Sequence, residues 1–328
     1  MERNTFFLPF LLSFTRYARS IRSPEVIPML SVPSSLSPLP SLSRNPRQKA
    51  VYSARAFNNI VYKTVDGIHL RLNLFLPELN GKPRLNAPLL INVDAGRWSS
   101  GKPGRGGYWR HFQAIDRGFA VASVAHRTAI HTPFPGPIED IKAAIRFLRA
   151  NAGEFGLDKN RVAIMGYSSG AQIACMAGIP DNVRIFDVGD HLEESSHVQA
   201  VVNFFGPVDM HYFVQNYNRC IDCVYYVLNA PLQEDGRPSR ELTPELLELA
   251  KRCSAPTYVN KDFAPTILFY GVKDRFVPLS QGARLYEALY QAGVRTELYV
   301  ANKGVHCVPS HGKIDDLAGK IYNFLDWE

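Results

Sequence analysis

The sequence predicts an α/β fold with a mostly parallel central sheet, helices on both faces and a small cap insertion. Three observations carry that prediction. Apolar runs of four to six residues alternate with amphipathic stretches from residue 89 towards the C-terminus. These runs are apolar at nearly every position, as strands buried on both faces must be, instead of alternating polar with apolar. One segment, residues 211–255, interrupts the alternation.

An antiparallel hairpin comes first. Ile60–Val65 and Leu70–Leu76 flank Asp66-Gly67, a pair that tolerates the positive φ of a tight hairpin turn. Buried strands are then expected at Leu89–Val93, Phe119–Val124, Arg161–Met165, Ala200–Phe205, Thr266–Tyr270 and Glu297–Val300. Helices are expected at Tyr108–Arg117, Ile138–Ala152, Ser169–Ala177, Leu279–Ala292 and Lys313–Leu325. The insertion at 211–255 is aromatic and polar, with a helical stretch at Pro244–Arg252. It precedes the strand at Thr266 and is expected over the C-terminal strand ends, where open α/β sheets bind ligands.

The regular pattern begins near residue 51. Residues 51–328 are therefore read as one folded domain, and residues 1–50 as a disordered or targeting extension. Residues 20–48 hold eight Ser and six Pro, too little apolar surface to offset the entropy of ordering. The run Thr5–Phe14 ahead of them is compatible with a secretory signal ending at Ala18-Arg19-Ser20, or with an Arg- and Ser-rich mitochondrial presequence. Met1-Glu2-Arg3-Asn4 is barely basic, which speaks against secretion; an untargeted extension on a cytoplasmic protein is the third reading, and the sequence does not separate the three.

The formal net charge is +7. Residues 1–50 carry seven Lys/Arg against Glu2 and Glu25, so +5 of that charge lies in the extension and only +2 in the domain. A nucleic-acid surface needs clustered basic charge on the folded part and is not expected. No run of 18 apolar residues occurs, so stable membrane insertion by a helix is not expected either. The five cysteines, Cys175, Cys220, Cys223, Cys253 and Cys307, are odd in number and irregularly spaced. They do not read as a disulfide framework, and the lone Cys220-x-x-Cys223 lacks the further ligands a zinc site needs.

The chemistry centres on Gly166-Tyr167-Ser168-Ser169-Gly170. It follows the strand at Arg161–Met165 and precedes a helix of small residues, which lifts Ser168 to the apex of a sharp strand-to-helix turn. A serine needs a base, and the base needs an orienting acid. Asp274 lies on the turn after the strand at Thr266–Tyr270 and is the candidate acid; a turn-capping carboxylate is its bland alternative. His306 follows the last strand and is the candidate base, with His311 as the alternative.

These residues and their chain order resemble the α/β-hydrolases of the esterase/lipase group, particularly the feruloyl-esterase-like and carboxylesterase-like subfamilies. Asp140–Asn151 with Arg161–Gly170, Phe205-Gly206-Pro207-Val208-Asp209, and Gly271 with Asp274, Val277 and Pro278 are similar to that group's helix, elbow, following strand and acid turn. The resemblance runs from about residue 52 to 328. It implies hydrolysis of a small-molecule carboxylic ester through an acyl-enzyme, with neither metal nor organic cofactor. The group's oxyanion loop usually reads His-Gly-Gly-Gly-Trp. Here the matching stretch is Asp94-Ala95-Gly96-Arg97-Trp98, so the resemblance assigns the oxyanion hole to the backbone N–H groups of Gly96, Arg97 and Ser169. Arg97 brings a Cβ where glycine is usual, so the loop geometry could differ. Thioester or amide cleavage, acyl transfer, cyclisation, elimination, and a catalytically silent binding protein are the alternatives. Acyl and alcohol specificity and oligomeric state are not legible in the sequence.

Overall fold

β1 (Tyr52–Val65) and β2 (Ile68–Leu79) form the hairpin that Asp66-Gly67 predicts, in a computed structural model that describes residues 52–104, 113–217, 222–306 and 316–327. Asp66 at φ 50° and Gly67 at φ 75° make the turn. Both strands outrun their apolar runs. The start of β1, Tyr52–Phe57, is half-exposed and is held as strand by its register with Leu74–Leu79. Residues 1–51, the first half of the helix expected at Tyr108–Arg117, Cys220, Cys307, His311 and the start of the helix expected at Lys313–Leu325 lie outside the described residues.

Nine strands among the described residues make one sheet. After the hairpin come β3 (Lys82–Pro83), β4 (Ala87–Val93), β5 (Ala120–Val124), β6 (Leu157–Tyr167), β7 (Ala200–Phe204), β8 (Thr266–Gly271) and β9 (Thr296–Ala301). Their order is β1-β2-β5-β4-β6-β7-β8-β9, with β3 paired to β2. β5, β4, β6, β7, β8 and β9 run parallel, and β2 joins β5 antiparallel. β4, β5, β7 and β8 are buried at every residue, as layers on both faces require.

The strand order fixes where a site can form. From β4 the chain steps outward to β5, then returns across β4 to β6 and runs on to β9 in the opposite direction. The reversal falls between β4 and β6. Loops leaving the C-terminal ends of those two strands diverge there and leave a crevice. The loop after β4 is Asp94–Trp98, and the turn after β6 is centred on Ser168.

The helices include α1 (Gly136–Ala150), α2 (Ala152–Phe155), α3 (Ser169–Ala177), α4 (Met210–Asn216), α5 (Asp222–Val227), α6 (Pro244–Arg252), α7 (Leu279–Gln291) and α8 (Leu317–Leu325). α1 departs from simple amphipathicity, because it buries Lys142, Arg146 and Arg149. Arg146 donates to Asp187 Oδ1 at 3.0 Å and to the carbonyls of Val188 and Asp190 at 2.6 and 3.2 Å. Arg149 donates to the carbonyls of Lys159 and Ser195 at 3.0 and 2.6 Å. These cations fasten a long irregular stretch between α3 and β7 whose own backbone lacks a ladder. At the opposite end of α1, Arg127 and Lys63 converge on buried Asp140 at 2.9 and 2.7 Å, tying the end of β5 and the hairpin to the helix.

The expected insertion at 211–255 contains α4, α5 and α6. Thr243 caps α6, its hydroxyl accepting from Leu246 N–H at 3.2 Å. Asp209 caps α4 with Oδ1, from Tyr212 N–H at 2.9 Å, and takes Arg284 on Oδ2 at 2.6 Å. The insertion is thus bonded to α7.

Candidate active site

Ser168 follows β6 at φ 53°, ψ −120° and stands at the N-cap of α3. That conformation costs a non-glycine residue about 1–3 kcal/mol, so the surroundings must impose it. Its N–H donates to Phe204 O at 2.9 Å on the neighbouring strand. The flanking glycines show why the motif needs them. A Cβ on Gly166 would run into the backbone of Gly170 and Ala171, and one on Gly170 into the carbonyls of Val93 and Asp94. Glycine at both positions lets the end of β6, the first turn of α3 and the end of β4 meet.

Asp274 follows β8 and is buried. Oδ1 accepts from the N–H groups of Phe276 and Val277 at 2.8 and 3.0 Å. Oδ2 lies 2.7 Å from His306 Nδ1. The turn-capping role and the orienting role, separate readings of the sequence, coexist on the two oxygens. The acid turn and the loop after β9 are joined through Val272 N–H to Ala301 O at 3.1 Å and Lys273 N–H to Gly304 O at 2.8 Å.

His306 Nε2 lies 3.1 Å from Ser168 Oγ. The Asp274 carboxylate can only accept, so Nδ1 carries the proton and Nε2 presents its lone pair to the serine hydroxyl. The ring stands edge-on to Phe205, centroids 4.7 Å apart, with Phe276 at 5.5 Å. Phe205 sits at φ 46°, its N–H fixed to Phe269 O at 2.9 Å. Both aromatics restrain the imidazole, and neither was singled out in the sequence for that role. The only signal was their adjacency to a strand end and to Asp274.

The loop after β4 answers the question of its altered residues. Arg97 adopts φ 55° and Trp98 φ 54°, so the left-handed backbone is kept without glycine, at a cost of about 1–2 kcal/mol per residue. Gly96 is required, since a Cβ there would strike the carbonyl of Ser100. Its N–H donates to Ser169 Oγ at 3.1 Å. The expected backbone donor Gly96 is therefore engaged by a side chain in this structure. Asp94 is buried and accepts on Oδ1 from Asn92 Nδ2 at 3.1 Å; its Oδ2 has no partner among the described residues. Arg97, by contrast, faces solvent.

Trp98 is buried and anchors this loop. Nε1 donates to Gln172 Oε1 at 3.0 Å, and Gln172 Nε2 donates to Cys253 O at 3.0 Å. One buried amide on the serine helix thus links the loop after β4 to the end of the insertion. Gln172 carries little local signal: it is a polar residue, four after Ser168, inside a largely apolar helix.

A cleft of about 540 Å³ between the insertion and α7 is lined by Asp209, His211, Leu247, Lys251 and Arg284 among others, and by none of Ser168, Asp274 or His306. Among the described residues no cluster of His, Cys, Asp and Glu has the makings of a metal site, and no helix is long and apolar enough to cross a membrane. Cys175 and Cys253 are buried, and burial pushes the Cys175 thiol up to about 12.

A doubly covered parallel sheet, with a serine on a strand-to-helix elbow and an acid and a histidine after later strand ends, defines the α/β-hydrolase fold. The chain belongs to the BD-FAE family, whose model matches residues 72–289. It is 27% identical over 208 residues to the esterase LipC of Mycobacterium tuberculosis, covering 63% of this chain and 49% of LipC. It is 26% identical over 286 residues to the isoprenylcysteine alpha-carbonyl methylesterase ICME of Arabidopsis thaliana, covering 84% of this chain and 64% of that protein. The chain spans about half the length of LipC and of LipQ, another esterase of that bacterium. In structure it is similar to a truncated carbohydrate esterase from gut microbiota, with a TM-score of 0.67 at 24% identity over 84% of this chain and 95% of that one. It is also similar to an esterase of Thermogutta terrifontis, with a TM-score of 0.63 at 23% identity over 83% and 89% of the two chains.

Proposed function

We propose that this protein hydrolyses a small carboxylic ester through a serine acyl-enzyme, with Ser168 as nucleophile, His306 as general base and acid, and Asp274 as the orienting carboxylate. The observation that carries the reading is the unbroken line from Ser168 Oγ to His306 Nε2 at 3.1 Å and from His306 Nδ1 to Asp274 Oδ2 at 2.7 Å.

In the first step Ser168 Oγ attacks the ester carbonyl while its proton passes to His306 Nε2. The imidazolium so formed keeps its Nδ1 proton on Asp274, whose charge stabilises it. The carbonyl oxygen becomes an oxyanion, held by N–H groups of Ser169 and of the loop after β4. Collapse breaks the bond to the alcohol oxygen, which leaves with the proton from Nε2. Water then repeats the sequence on the acyl-enzyme and releases the acid. The elbow supports the assignment, since its strained backbone is retained at the residue that would react.

The test is turnover of short p-nitrophenyl esters by the wild type and by Ser168→Ala. The reading expects wild-type turnover and a loss on the order of 10⁶-fold in the variant, with the fold intact by circular dichroism. Equal turnover by the two proteins would reject Ser168 as the nucleophile.

A further inference from the structure

We infer that the hydroxyl of Ser169, in addition to its backbone N–H, is a donor to the oxyanion, and that Gly96 acts through it. The inference rests on the esterase reading above and adds a catalytic side chain to it.

Three observations converge on this hydroxyl. The Ser168 N–H is spent on Phe204 O at 2.9 Å, so the nucleophile's own amide does not serve. The Gly96 N–H, the donor expected to face the substrate, is directed at Ser169 Oγ, 3.1 Å away. Ser169 itself is buried, with a relative exposure of 3%. Its oxygen accepts from Gly96, yet its own O–H proton has no acceptor among the described residues.

A buried hydroxyl with an unused proton costs stability, on the order of 1–3 kcal/mol for an unmade hydrogen bond. A ligand oxygen that accepts this proton removes that cost. Ser169 follows the nucleophile directly and opens α3, so its N–H belongs to the first helical turn and has no intrahelical acceptor. The N–H and O–H of this residue belong to the position that directly follows the nucleophile, and its Oγ lies 3.1 Å from the N–H of the loop after β4. Hydrogen bonds in a chain polarise one another. Donation by Gly96 to the Ser169 oxygen makes the Ser169 O–H a stronger donor, and its strength rises as negative charge develops on the substrate oxygen. No bond to Ser169 forms or breaks, and its proton stays on Oγ throughout.

Arg97 and Gly96 therefore differ in function. Arg97 offers its backbone N–H directly, from a residue held at φ 55°. Gly96 contributes through the Ser169 hydroxyl, which extends the donor set towards the substrate by one side chain.

The experiment compares wild type with Ser169→Ala and Ser169→Cys on a p-nitrophenyl ester. Each protein is also titrated with a trifluoromethyl ketone, which forms a tetrahedral oxyanion on the active serine. Ser169→Ala keeps the backbone N–H and removes only the hydroxyl. The expected result is a fall in kcat of about 10- to 100-fold with KM changed less than threefold, below the 10²–10³ of a full oxyanion donor because the freed Gly96 N–H partly substitutes. Affinity for the ketone should fall by the same factor as kcat/KM, and Ser169→Cys, with its weak donor, should lie between. A purely structural role would lower KM-related binding and thermal stability without that matching loss. Turnover and ketone affinity of Ser169→Ala within twofold of wild type would overturn the inference. Fluorophosphonate labelling separates this from failure of the underlying reading: Ser168 that labels normally beside an inert Ser169→Ala change rejects only the hydroxyl's role, whereas unlabelled Ser168 in the wild type rejects both.

Discussion

Asp274 holds His306 with one oxygen, 2.7 Å from Nδ1, and with the other accepts the amides of Phe276 and Val277. One carboxylate therefore aims the imidazole and folds the turn that carries it. Asp274→Asn keeps an oxygen for the amides but presents an N–H₂ donor or a neutral oxygen to the ring, and so favours the wrong tautomer. Turnover is expected to fall on the order of 10⁴-fold with little change in Tm. Asp274→Ala should lose activity and also melt lower, because two amides, that of Val277 buried, lose their acceptor. Steady-state kinetics and thermal melts of the two variants check the division.

Gln172 is the second relationship that predicts behaviour. Gln172→Ala strips the partner from Trp98 Nε1 and from Cys253 O, both at 3.0 Å. Each buried group left unpaired costs about 1–3 kcal/mol, so a Tm drop of roughly 4 °C or more is expected. Because Trp98 anchors the loop after β4, kcat should fall together with stability. A variant that melts as wild type does would show that the link is not structural.

Lys142 gives a prediction in pH. Burial holds its ammonium down to about 8 from 10.5, although Asp187 attracts it. The unfolded chain binds that proton more tightly than the native one. Stability from this group is therefore full above about pH 10.5, falls as pH drops towards 8, and stays reduced below that. Lys142→Met removes a penalty of about 3 kcal/mol at pH 7, while Asp187 keeps Arg146 at 3.0 Å and Arg184 at 2.9 Å. The variant is expected to melt higher than wild type at pH 7, with the difference shrinking towards pH 10.5. A lower melt at pH 7 would show that the charge is net stabilising.

Residues 1–50 are proposed to lie outside the hydrolase domain, on the strength of their Ser/Pro composition and their share of the positive charge. A chain beginning at residue 51 should keep its ester turnover and its Tm within a degree or two. A Tm several degrees lower, or insoluble protein, would place part of that segment against the domain.

Much of the fold was legible because it is written in local patterns. Strands buried on both faces must be apolar throughout, and all six such runs fall on parallel strands with boundaries shifted by a few residues. Ser168, Asp274 and His306 were legible because each follows a strand end, and the parallel sheet brings those ends together. What escaped was set by contacts between distant segments. Nothing local marks Ser169 Oγ as the partner of Gly96, or Gln172 as the bridge between Trp98 and Cys253. The buried cations of α1 were hidden for the same reason. Lysine and arginine read as surface until the irregular segment that they hold is known.

The most direct test of the account is intact-protein mass spectrometry after exposure to a fluorophosphonate. The account predicts one phosphonyl adduct per chain, mapped by peptide sequencing to Ser168, absent in Ser168→Ala, and slowed on the order of 10³-fold or more in His306→Ala. An unmodified wild-type chain, or an adduct that persists in Ser168→Ala, would contradict it.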